Sequence, residues 1–247
     1  MTGTAGPAAA EAVLEAPAKL TLSLRVTGVR SDGYHLLDSE MVTLDLADRL
    51  TFRPGTGLTV AGVGADGPVP AGDDNLIVRA LHLVGRDAGV HLEKRIPTGA
   101  GLGGGSADAA AVLRWAGCAD LDLAARLGAD VPFCLVGGRA RVRGVGELVE
   151  PLPFDEVAGR PYTLLTPPLH VSTVEVYRAW DRLGGPTGAN DNDLEPAALH
   201  VEPELARWRD RLGDASGETP RLAGSGGTWF VPGAHPGPDR LVVRVTR

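Results

Sequence analysis

Between residues 18 and 26 apolar and polar side chains alternate. Leu20, Leu22, Leu24 and Val26 share one side, and Lys19, Thr21, Ser23 and Arg25 the other. A period of two predicts a strand with one wet face. Ser31-Asp32-Gly33 is turn chemistry, and after Tyr34-His35 a second β run extends over residues 36–46. Residues 50–52 and 58–60 read as short strands. The spacing of Leu76, Ile77, Ala80, Leu81 and Val84 is helical, with Asp73 or Asp74 as the cap. Alternation returns over 90–96, and an alanine-rich segment to about Trp115 predicts a helix opened by Ser106 with Asp108 in its first turn. A short helix near 121–127 is closed by Gly128, and 139–143 reads as a strand. Pro151 and Pro153 mark a candidate boundary, giving expected domains over 1–153 and 154–247. Beyond it the pattern predicts a strand over 162–166, helices over 173–183 and 202–212, and strands over 228–231 and 241–245. Strands and helices mix without a regular βαβ alternation, so the expected class is α+β.

Composition narrows the function classes. With 43% hydrophobic residues in 247, and a mean hydropathy near zero, the chain reads as an ordinary soluble globular protein. A formal charge of −7 without a basic block argues against nucleic acid as partner. No apolar run approaches the ~18 residues of a membrane span. The first twelve residues read as a small-residue tail, not a signal peptide, so a cytoplasmic location is expected. Two cysteines, Cys118 and Cys134, make neither a disulfide framework nor a metal site, and read as buried thiols.

The chemistry concentrates between residues 96 and 110. Five glycines fall within seven positions, Gly99, Gly101, Gly103, Gly104 and Gly105, between a predicted strand and a predicted helix. Such a loop lets backbone N–H groups approach an anion, and the helix dipole favours negative charge there. The Walker pattern fails because Gly104 precedes Gly105 and not a Lys. Gly99, Gly101 and Gly104 satisfy G-x-G-x-x-G, but the preceding strand alternates with charge. Asp120 and Asp122, at the right distance for a dinucleotide acid, fall in a polar connection, which disfavours a Rossmann unit.

The run from Pro97 through Gly99, Gly101, Leu102, Gly103, Gly104 and Gly105 to Ser106 resembles the phosphate loop of the GHMP kinases. Further motifs follow in that family's order from residue 16 to about 230. The resemblance implies a two-domain fold: an N-terminal domain like the second domain of ribosomal protein S5, a ferredoxin-like C-terminal domain, and an active site between them. It implies ATP, held by the loop with Asn75, Ile77 and Lys94 around the adenine, and Mg2+, whose protein ligands no acidic cluster in the sequence identifies. Lys19 lies in Ala16-Pro17-Ala18-Lys19-Leu20 and Asp130 in Gly128-Ala129-Asp130-Val131-Pro132-Phe133, both matching family segments. Asp130 is thereby implied as the base for an acceptor hydroxyl and Lys19 as the cation that keeps it ionised.

Asp32-Gly33-Tyr34-His35 and Tyr177 resemble the set with which one branch of the family reads the base of a cytidine diphosphate-linked methylerythritol, phosphorylated at its 2-hydroxyl. Thr21, Gly224 and Ser225 are implied at the acceptor, and Asn192-Asp193-Leu194-Glu195-Pro196 matches a further signature. A small-molecule substrate, no nucleic acid or membrane, and a monomer or homodimer are expected. Thr21 stands where the family carries Asn, and Ala107 where it carries a second Ser. The stretches 116–121 and after Phe230 are shorter than in the family. These differences leave two rival readings, a GHMP kinase of another small alcohol and a nucleotide-binding homologue without kinase activity.

Overall fold

The computed structural model describes residues 11–62 and 71–247, so most of the small-residue tail lies outside the described residues. Two long strands, β1 (Ala12–Val29) and β2 (His35–Arg53), pair antiparallel from Ala12 opposite Phe52 to Val29 opposite His35. The expected Asp32-Gly33 turn joins them, with Gly33 at φ 87°. β2 absorbs the separate strand expected at 50–52. Its 19 residues reach roughly 60 Å at strand rise, enough to serve several neighbours.

The chain continues through β3 (Leu58–Ala61), α1 (Leu76–Leu83), β4 (Gly89–Glu93), α2 (Gly104–Trp115), α3 (Leu121–Ala125) and α4 (Val131–Val136). Then come β5 (Arg139–Gly144), β6 (Leu148–Pro151), β7 (Pro161–Leu165), α5 (Thr173–Arg182), α6 (Glu195–Val201) and α7 (Leu205–Ser216). β8 (Arg221–Leu222), β9 (Trp229–Pro232) and β10 (Arg240–Thr246) complete it.

Ten strands join in one sheet, along β3-β4-β2-β10-β7-β9-β8, with β1 and β5 also on β2 and β6 on β5. Among the strands of the described residues, only β3 and β4 pair in parallel. β10, from the end of the chain, pairs with β2 and β7 and carries the sheet from one half into the other. The expected α+β class is observed. One core packs α1, α2 and α4 on the first half of the sheet; a second gathers at the junction around Leu20, Leu102 and Phe230; a third forms under α5, α6 and α7 around Trp229. Among the described residues no helix is long and apolar enough to cross a membrane.

Several expectations need correction. The polar face of β1 is not wet at its centre, because Lys19 and Thr21 are buried there. α1 is capped by Asn75, whose Oδ1 accepts the Ile77 amide at 2.9 Å, and not by Asp73 or Asp74. α2 begins inside the glycine run, with left-handed Gly103 before its first residue; Ser106 is therefore within the helix and Asp108 beyond its first turn. α4 and α6 form where no helix was expected. Each carries a proline in its first turn, where the missing N–H costs nothing. The last amphipathic helix runs later than expected, as α7.

Candidate active site

The glycine loop is pinned between β1 and a second glycine turn, Gly224-Ser225-Gly226-Gly227. The Lys19 amide donates to the Leu102 carbonyl at 3.0 Å, and the Thr228 amide to the Ala100 carbonyl at 3.2 Å. Two glycines are required by close approach. A Cβ on Gly101, at φ 76°, would lie 2.5 Å from the Gly226 carbonyl oxygen and 2.6 Å from that of Ala223. One on Gly103, at φ 69°, would lie 2.7 Å from Cγ of Lys19. Any side chain there would drive the loop off its supports.

Pro97, Gly99, Gly101, Leu102, Gly103, Gly104, Gly105 and Ser106 line one cavity of about 340 Å³ with Asn75 and Lys94, at the start of α2. Backbone amides and a helix N-terminus around such a space suit a polyphosphate. The Leu102 side chain is buried in the junction core. Ile77, expected beside the adenine, is fully buried in the core beneath α1 and does not line this cavity; its neighbour Leu76 does. Lys94 is not a free cation: its ammonium sits between the Asp48 and Asp108 carboxylates.

Lys19 runs from β1 beneath Gly103. Its Nζ lies 3.0 Å from Thr21 Oγ1 and 3.3 Å from Asp130 Oδ2. Asp130 stands at the N-cap position of α4 yet makes no side-chain cap bond, which leaves its carboxylate to Lys19. The Lys19 side chain is 6% exposed and that of Asp130 31%, so the cation is sheltered while the carboxylate remains accessible. A Cβ on Gly224 would lie 3.5 Å from Lys19 Nζ and 3.8 Å from Thr21 Oγ1, placing the second glycine turn beside the pair. Asn192 holds that turn, donating from Nδ2 to the carbonyls of Leu222 (2.8 Å) and Gly224 (2.7 Å). Ser225 Oγ is 2.8 Å from Thr173 Oγ1 at the start of α5.

A second cavity, of about 430 Å³, reaches Ala129, the neighbour of Asp130. Tyr34, His35 and Tyr177 line it with Leu37, Ala129 and Val145. His35 packs against Tyr177, with ring centroids 4.7 Å apart and planes tilted by 37°, and meets the edge of Trp180. Its Nε2 lies 2.8 Å from Asp181 Oδ1. Burial raises the Tyr177 phenol pKa, and the nearby Asp130 charge adds to the rise, so the ring stays a neutral, apolar wall. Tyr34 is exposed, on the hairpin turn at the edge of the cavity. Burial likewise pushes up the Cys134 thiol, in keeping with an inert cysteine.

Residues 75–138 match the model of the GHMP kinases N terminal domain, a stretch that holds the loop and Asp130. Over 238 residues the chain is 42% identical to the 4-diphosphocytidyl-2-C-methyl-D-erythritol kinase of Paracoccus denitrificans, covering 87% of this chain and 84% of that one. The chain belongs to that kinase family.

The kinase of the same name from Pelotomaculum thermopropionicum is 40% identical over 254 residues, with 87% and 86% covered. A crystal structure of 4-(cytidine 5'-diphospho)-2C-methyl-D-erythritol kinase superposes with a TM-score of 0.69 at 37% identity, covering 89% of each chain. Mevalonate kinase from Methanococcus jannaschii, at 13% identity and a TM-score of 0.55, shares the fold. The chain therefore has the GHMP kinase fold and is an ATP-dependent small-molecule kinase.

Two acidic residues around this site, Asp181 and Asp48, and the pairing of a third, Asp108, lay outside the sequence expectations. Asp181 had a signal: it stands four residues after Tyr177, on the same face of a predicted helix. Asp48 and the pairing of Asp108 had none, because their partner Lys94 is 46 and 14 residues away.

Proposed function

We propose that this chain transfers the γ-phosphoryl group of ATP to the 2-hydroxyl of 4-diphosphocytidyl-2-C-methyl-D-erythritol, a step of non-mevalonate isoprenoid precursor synthesis. The observation that carries the reading is the position of the Lys19–Asp130 pair. Lys19 packs under Gly103 of the phosphate-loop cavity, and Asp130 follows Ala129 of the aromatic cavity. A hydroxyl presented from the second cavity to a phosphate in the first would meet this pair.

Phosphoryl transfer asks the protein mainly for positioning and charge compensation. The loop amides and Ser106 hold the polyphosphate. Asp130 accepts the proton of the 2-hydroxyl as that oxygen attacks phosphorus, and Lys19, 3.3 Å from Asp130, offsets charge on the attacking oxygen. Thr21 and Gly224, beside Lys19, border the methylerythritol, and Ser225 borders the acceptor from the second glycine turn. Tyr177 and Tyr34 offer ring faces to the cytosine and His35 its polar edge. Asn75 and Lys94 stand at the nucleotide end. Magnesium bound with ATP would supply further charge neutralisation at the phosphates. Among the described residues no group of three or more His, Cys, Asp or Glu side chains could cage it. The boundary near residue 153 then separates a nucleotide-holding half from one that completes the acceptor side.

Release of ADP from ATP and magnesium, measured with and without the diphosphocytidyl methylerythritol acceptor, tests the reading. Acceptor-dependent ADP is expected. ATP binding without acceptor-dependent ADP would refute it in favour of a non-catalytic nucleotide binder. Turnover restored only by another alcohol would refute the substrate.

A further inference from the structure

Under the phosphate loop lies a buried ionic triad, of which the mechanism above uses only Lys94. Lys94, just past β4, places its ammonium between Asp48 of β2 and Asp108 of α2. All three side chains are 5% exposed or less. The two carboxylates are not equally satisfied. Asp48 takes the Lys94 ammonium on Oδ2 and the amides of Arg95 (2.5 Å) and Ile96 (2.8 Å) on Oδ1. Asp108 takes Lys94 on Oδ2 at 2.9 Å, while its Oδ1 is closed to solvent and has no hydrogen-bond partner among the described residues. Lys94 and Asp108 both line the loop cavity, and a Cβ on Gly104 would lie 2.8 Å from Lys94 Nζ.

Two carboxylates around one ammonium sum to a charge of −1, directly under the site of a polyphosphate. Binding a polyanion above a buried negative charge is opposed by Coulomb repulsion that water screens poorly. One proton removes it. Three donors already satisfy Asp48, whereas Asp108 has one donor and an orphan oxygen on which a proton can sit. We propose that binding of a nucleoside triphosphate at the loop is coupled to uptake of one proton on Oδ1 of Asp108, which makes the triad neutral beneath the phosphates. The proton comes from the buffer, and no bond of the nucleotide changes. This rests on the loop being the ATP site.

The surroundings agree. Burial raises the Asp108 pKa to about 7 against the pull of Lys94, with the Asp48 charge adding to the rise. Of the other elements packed on α2, β1 brings Lys19, engaged by Asp130 and Thr21, and α4 brings Cys134, whose thiol the Asp108 charge helps to push up. Arg79 and His82 of α1 are exposed on its outer side.

Titration calorimetry of magnesium-ATP into the whole protein at pH 8, in buffers of different ionisation enthalpy, reads the proton directly. The terminal phosphate, with a pKa of about 6, is already ionised there. The apparent enthalpy should change with buffer by close to one proton taken up. Asp108→Asn, a neutral isostere, should bind ATP with a slope near zero. Wild-type affinity should fall about fivefold from pH 7 to pH 8, as the protonated fraction of free Asp108 falls from about a half to about a tenth, while Asp108→Asn stays flat. ATP binding without buffer dependence in wild type, a measurement that needs no variant, would overturn the proposal and leave the kinase reading standing. Retention of the slope in Asp108→Asn would also overturn it, and absence of ATP binding would overturn both.

Discussion

Asp130→Asn isolates the proposed base from its packing. Asn preserves volume and a carbonyl oxygen toward Lys19, so the buried ammonium keeps a partner and the fold should survive. What is lost is the charge. At 3.3 Å the Lys19–Asp130 attraction is about 5 kcal/mol with an effective dielectric near 20, before screening. With Asp130 about one third exposed, we expect half of that or less to reach the stability of the fold. The kinetic loss should be larger. A positioned base contributes about 10²–10⁴ in rate, or about 3–5 kcal/mol of barrier.

The assay is steady-state ADP release with saturating acceptor, alongside ATP affinity by calorimetry. Asp130→Asn should lower kcat by at least about a hundredfold with ATP affinity within about twofold, because Asp130 does not line the loop cavity. Turnover within about threefold of wild type would refute Asp130 as base. An equal loss of ATP binding would refute the separation of the two cavities on which the assignment rests.

Three further outcomes follow from the geometry. Gly101→Ala puts a Cβ 2.5 Å from a backbone oxygen at positive φ, where neither neighbour is a flexible side chain. It should weaken ATP binding at least tenfold, and unchanged affinity would show that the loop can leave the second glycine turn without consequence. His35→Ala removes the polar edge of the aromatic cavity and the partner of Asp181, so the acceptor KM should rise while the ATP KM does not; an unchanged acceptor KM would sink the base pocket. Because the Asp108 pKa is raised above its unfolded value to about 7, the folded state binds the extra proton, and its contribution to stability is lost as pH rises from about 4 to about 7. Thermal melts should show Asp108→Asn gaining on wild type across that window and levelling above it; a pH-independent difference would place the Asp108 pKa near that of an ordinary carboxylate.

The parts legible in sequence are those whose physics is local. Gly99 to Ser106 announces an anion loop because a glycine run before a helix has few other uses, and the Ala18–Val26 alternation announces its strand. The helix cap was misplaced by one or two residues because Asp73, Asp74 and Asn75 are adjacent and chemically alike; only backbone geometry selects Asn75. α4 and α6 stayed hidden because each is a short segment stabilised by the cores it enters, not by its own periodicity.

Lys19 and Thr21 teach the more useful lesson. Alternation sorted them onto one face of β1, but it reports only that a face is polar, not that it is wet. When a glycine loop and a helix cover the centre of that face, polar residues kept there must find partners in the protein or in a ligand. Lys19 finds Thr21 and Asp130; Lys94 finds Asp48 and Asp108; Oδ1 of Asp108 finds none among the described residues. An unpartnered buried carboxyl oxygen costs stability, and this one lines the nucleotide cavity, where a bound ligand's charge acts on it directly.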